Sequence, residues 1–143
     1  MREIKFRSWV KNKGMFYFTI EELLRSCVHS EGVTYAGGNM DYVWEKGIKM
    51  QFTGLLDKNG KEIYEGDILK QDIGNEYGSL FKDQIGQMVW HKDGGWAIKY
   101  VVNTVIAMDG LCSKPEIIGN IYENPELLSS SNSQTSDDEF NKK

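Results

Sequence analysis

The sequence is poor in the residues that build common catalytic and metal centres. Its 143 residues include two histidines, His29 and His91, and two cysteines, Cys27 and Cys112. The cysteines stand far apart and form neither a CxxC pair nor a zinc-knuckle spacing, so the chain reads as a reduced, intracellular protein without a metal staple. No Walker A run and no glycine-rich dinucleotide fingerprint is present, which removes the phosphate cradles that those folds use. No apolar run approaches the roughly 20 residues that a bilayer-spanning helix needs. No charged segment followed by an apolar run opens the chain, so the expectation is a cytoplasmic protein with no membrane partner. Cations are also scarce: 17 Lys and Arg face 21 Asp and Glu, for a net charge of -4. A surface of that balance disfavours nucleic acid as a partner, although a local basic patch is compatible with it.

What is present is a core-forming composition, with 40% hydrophobic and 12% aromatic residues. That suits one domain or two closely packed subdomains folding without disulfides. Ile4, Phe6 and Ser8 alternate with Lys5, Arg7 and Trp9, and an apolar pattern resumes at Met15 to Phe18 after the polar run Lys11 to Gly14, predicting an opening hairpin. Thr19-Ile20-Glu21-Glu22 is a capping box, so a short helix starts there. Leu23, Leu24, Cys27 and Val28 supply its apolar face, and the pattern ends at His29 to Gly32. Gly37-Gly38-Asn39 reads as a loop, Tyr42 to Trp44 as a short strand, and Ile48, Met50 and Phe52 as one face of another strand.

Asp57-Lys58-Asn59-Gly60 lies between two alternating runs, and Asn and Gly tolerate the positive φ of a tight hairpin turn. A second turn at Glu65-Gly66-Asp67 leads into the strand Ile68-Leu69-Lys70. A polar excursion through Gly74 and Gly78 follows, then Gly86 to Trp90, the turn His91 to Gly95, and Trp96 to Val101. After a loop centred on Asp109-Gly110, a last strand runs from Glu116 to Tyr122 and stops at Asn124-Pro125. This is a mainly β chain of small helical content. The expected architecture is a small SH3-like β-barrel over residues 51–128, an N-terminal hairpin-plus-helix subdomain over residues 1–50, and a mobile polar tail over residues 129–143.

Three blocks carry a family resemblance: Met1 to Arg7 with Trp9, Gln51 to Lys70 (QFTGLLDKNGKEIYEGDILK), and Ile117 to Leu128 (IIGNIYENPELL). In this order they resemble the YopX family of phage and prophage proteins over residues 1–128, fitting poorly between Glu21 and Lys49 and between Gln71 and Leu80. The resemblance implies a small, self-associating β-rich protein of a bacterial host cell. It carries no catalytic residue over.

The residues themselves offer little chemistry. His29, His91, Cys27 and Cys112 have the wrong spacing for zinc, and a Cys112–His91 nucleophile pair would need a third group to orient it. Asp57, Glu62, Glu65 and Asp67 form an acidic cluster, but turn residues of this kind ordinarily accept backbone N–H groups. The Asp57 run is no calcium loop, because its glycine comes too early and its twelfth position is Ile68. The expectation is therefore a non-enzymatic module with no cofactor and no metal. Trp90, Lys92, Trp96, Lys99 and Tyr100 form the candidate interaction surface, set against the plainer reading in which these aromatics pack across the strands. Expected partners are further copies of the chain and a phage or host protein. The alternative is a nucleic-acid-binding accessory protein stacking bases on the same hairpin.

Overall fold

A computed structural model describes residues 3–28, 34–35, 38–75, 78–101, 104–108 and 113–129. The chain divides into two compact units, Met1–Gly66 and Asp67–Lys143. His29, Gly37, the expected loop at Asp109-Gly110, Cys112 and residues 130–143 of the expected tail lie outside the described residues.

The first unit opens with the predicted hairpin of β1 (Lys5–Val10) and β2 (Gly14–Thr19), paired over six continuous positions. Its turn places Asn12 and Gly14 at positive φ. The capping box forms as read: Thr19 N–H donates to Glu22 Oε2 at 2.7 Å, and Glu22 N–H donates to Thr19 Oγ1 at 3.2 Å. It starts α1 (Ile20–Val28). A two-stranded ribbon, β3 (Thr34–Tyr35) with β4 (Gly38–Asn39), leads to α2 (Met40–Lys46).

The helix α2 corrects the expected strand at Tyr42 to Trp44, and tertiary packing supplies the reason. A strand would send Val43 and Trp44 to opposite faces. In the helix Val43 is 2% exposed while Trp44 meets the rings of Phe6 and Phe18 edge-on at 6.5 and 5.9 Å. The Val43 carbonyl accepts from both Ser8 Oγ and Gly47 N–H.

β5 (Ile48–Leu56) pairs with β1, and β6 (Glu62–Tyr64) with β5, giving a sheet of order β2-β1-β5-β6. The boundary expected after residue 50 therefore falls inside β5, and residues 51–66 belong to the first unit. Met50 and Phe52 are buried as expected on one face, whereas Ile48 at its end is exposed. The Asp57 to Gly60 hairpin forms, with Gly60 at φ +80°. Asp57 is buried and its Oδ1 accepts from the N–H groups of Asn59 and Lys61, each at 2.8 Å.

The second unit is an antiparallel sheet of order β10-β9-β8-β7-β11. Its strands are β7 (Asp67–Asn75), β8 (Gly78–His91), β9 (Gly95–Tyr100), β10 (Val105–Ala107) and β11 (Glu116–Asn120). The expected polar excursion is strand: β7 and β8 continue pairing out to Asn75 opposite Gly78, through two register shifts. Asp83 takes φ +52° at one of them, its N–H donating to Asp72 Oδ1 at 2.9 Å and its carboxylate lying 3.4 Å from Lys70 Nζ. Beyond Gln71 and Gln84 neither β9 nor β11 pairs alongside, so among the described residues the hairpin ends as a two-stranded arm.

The sheet is not the closed barrel expected. β10 and β11 stand at opposite ends of the strand order, and no pairing joins them among the described residues. β10 stops after three residues. β11 ends at Asn120, whose Oδ1 accepts from the N–H groups of Tyr122 and Glu123 and turns the chain away. Pro125 then stands at the start of α3 (Glu126–Ser129), where its missing N–H costs nothing, and α3 lies against β8.

Candidate interaction surface

The β8–β9 hairpin carries the predicted residues and distributes them differently from the expectation. Trp90 and Trp96 stand directly opposite each other in the register, with rings edge-to-face at 5.0 Å and 83°. Trp90 is 54% exposed, and Trp96 is half-buried beneath it. The Trp96 indole Nε1–H is shielded from solvent and finds no hydrogen-bond partner among the described residues. Such an orphan donor costs free energy that an ordinary core position avoids.

Strand alternation places Gly86, Met88 and Trp90 of β8 on one face with Trp96, Ile98 and Tyr100 of β9. Tyr100 belongs to the interior end of that face. It is 2% exposed, and its hydroxyl donates to Gln71 Oε1 at 3.0 Å. Gln71 in turn donates to the Ser113 carbonyl. Lys99 is exposed on the opposite face, across from Gln87. Lys92 is exposed in the turn, where Gly94 takes φ +87°. Within that turn, His91 Nδ1 lies 3.1 Å from Asp93 Oδ2. The geometry thus brings Trp90, Trp96 and Lys92 to one end of the hairpin and separates Lys99 and Tyr100 from them.

Sequence reasoning missed a second constellation, on the first sheet. Lys5, Arg7 and Tyr17 share a face with Phe52, Glu62 and Tyr64 through the strand registers. Lys5 Nζ donates to Glu62, which also accepts from the Tyr64 hydroxyl at 2.9 Å. The Arg7 guanidinium lies 4.9 Å from the centre of the Tyr64 ring, and Tyr17 meets that ring edge-on at 5.7 Å. The hydrogen bond from Lys5 holds the Glu62 carboxyl below its ordinary range, and the same bond raises the Lys5 ammonium. Burial, then the bond to Glu62, pushes the Tyr64 phenol well above its ordinary value. Each of these three shifts favours the state that makes the hydrogen bond, so the Lys5–Glu62–Tyr64 chain ties β1 to β6 at neutral pH. The alternation of Lys5 and Arg7 with Phe6 and Ser8 was the available signal. Their partners, 57 residues away in the case of Glu62, were not visible in it.

Among the described residues, no three His, Cys, Asp or Glu side chains converge as a metal site, and no helix is long and apolar enough to cross a membrane. A family model described as YopX protein matches residues 5–129, from the start of β1 to the end of α3. The chain belongs to the YopX family. The resemblance read from its three sequence blocks is thereby established, and the YopX match spans both compact units. The crystal structure of protein EF1440 from Enterococcus faecalis superposes with a TM-score of 0.51 at 24% identity, covering 87% of this chain and 97% of that one. This likeness is one of fold. A search of curated proteins found no match.

Proposed function

We propose that this YopX-family protein is a non-enzymatic, self-associating interaction module, phage- or prophage-encoded and acting in the bacterial cytoplasm, that docks a protein partner on the Trp90 end of the β8–β9 hairpin. The observation that carries the reading is the pairing of an exposed tryptophan with a second one whose N–H is unsatisfied. Tryptophans are over-represented among the few residues that dominate protein interfaces, since they bury a large rigid surface and carry a polar handle. The fold fits the role as well. β7 to β10 form a meander and β11 returns beside β7 in an open sheet, an order that supports an SH3-like reading of the second unit.

Nucleic acid is the weaker reading. It drew on Lys92, Trp96, Lys99 and Tyr100 acting together, and only Lys92 remains as a cation beside the tryptophan pair.

The test is affinity capture from nuclease-treated and untreated host lysate with the wild-type chain and with Trp90→Ala. A protein captured by the wild type, lost with Trp90→Ala and indifferent to nuclease supports the module. Capture that disappears on nuclease treatment, or that Trp90→Ala leaves intact, overturns it. Light scattering on the purified chain tests self-association separately.

A further inference from the structure

We propose that the outer edge of β2 pairs antiparallel with β2 of a second copy of this chain, in a register centred on Tyr17, joining two four-stranded sheets across a two-fold axis. The inference rests on the self-association proposed above and names where it occurs. β2 is a sheet edge, and β1 is its one strand partner among the described residues.

A free edge presents a row of unpaired N–H and C=O groups, and proteins that remain monomeric blunt such edges with shortness, charge, proline or a bulge. The other sheet edges here follow that practice. β6 and β10 have three residues each, and the pairing of β11 is broken by a register shift. The sequence of β2, GMFYFT, has six residues with no charge, no proline and no bulge. Tyr17 at its centre is 56% exposed.

Two properties select a copy of the same chain as the occupant. Pairing about Tyr17 sets Phe16 opposite Phe18 and Tyr17 opposite itself, and brings Met15 across from Thr19, whose N–H stays with Glu22 in the capping box. Each opposed pair then shares a face, and aromatic cross-strand pairs of this kind are favourable. The flanking charges complete the match. Lys11 and Lys13 are exposed just before β2, and exposed Glu21 follows just after it. An antiparallel two-fold lays each cationic end beside the acidic end of the other copy, whereas a parallel approach sets like beside like. Identical edges related by a two-fold also close, yielding a dimer and leaving no β2 edge to propagate.

The test uses the full chain. Sedimentation velocity compares the wild type with Tyr17→Lys, which sets like charges opposite each other at the axis, and with Val105→Lys on the β10 edge. The expected result is a wild-type dimer, weakened about tenfold or more by Tyr17→Lys and unchanged by Val105→Lys. Should Tyr17→Lys fail to fold, as judged by circular dichroism, the Tyr17→Cys variant decides. Directly opposed residues across antiparallel strands lie about 4.5–5.5 Å apart at Cα, within disulfide reach, so mild oxidation joins position 17 to position 17, as read by peptide mass mapping. A chain that associates yet resists Tyr17→Lys, or that forms no 17-to-17 link, removes the β2 interface while leaving self-association standing. A monomeric wild type overturns both.

Discussion

Single residues in this protein hold turns and close approaches in place, and their substitution has calculable consequences. Asp57 is 1% exposed and is the acceptor for two backbone N–H groups of its own turn. The change Asp57→Ala leaves both donors without that acceptor and should lower stability by about 1–3 kcal/mol in a urea titration. Gly47 is constrained by space: a Cβ there would lie 1.8 Å from Ser8 Oγ and 2.4 Å from the Val43 carbonyl oxygen. The serine hydroxyl can rotate, but the carbonyl belongs to α2, so Gly47→Ala should push the helix off the sheet and cost about 1–3 kcal/mol. If its melting temperature matches the wild type, the close approach of α2 to β1 is wrong.

At the scale of elements, the clearest local signals were honoured. The capping box predicts that Thr19→Ala weakens α1 by about 0.5–2 kcal/mol, read as lost helical dichroism and a lower urea midpoint. The β7–β8 hairpin makes a second prediction, because a two-stranded ribbon is only marginally stable without neighbours. Amides of residues 72–74 and 79–83 should therefore exchange with deuterium well before those of residues 68–70 and 86–90, which lie inside the sheet. Equal protection along the whole hairpin would mean that something else flanks the arm.

For the molecule as a whole, pH reports on the first unit. Glu62 titrates below its ordinary 4.5 in the fold, so its contribution is present above that value and is lost as the pH falls through the lower folded pKa. Lys5 titrates above 10.5, so its contribution holds at lower pH and is lost as the pH rises through the higher folded pKa. Tyr64 acts in the same alkaline direction. Its unfolded phenol ionises near 10.0 while the folded one stays neutral, so stability declines from there upward. The expected profile from chemical denaturation is a plateau between these limits, and Glu62→Gln should flatten its acid limb. The tryptophans separate the units, Trp9 and Trp44 lying in the first and Trp90 and Trp96 in the second. An acid transition carried by Trp90 and Trp96 alone would contradict this assignment.

The sequence by itself determined the hairpin turns, the start of α1, the β-rich class and the family. These depend on short-range causes: glycine at positive φ, a hydroxyl reaching a nearby amide, and alternation along a few residues. Tertiary structure decided which strands met. It placed residues 51–66 with β1, made a helix of Met40 to Lys46 because Val43 and Trp44 had one sheet face to share, and left the second sheet open at β10 and β11. It also divided the candidate surface, sending Lys99 to one face and Tyr100 into the interior. Pairing partners lie tens of residues apart, and the free energy that chooses among them comes from burial and register, neither of which a local pattern contains.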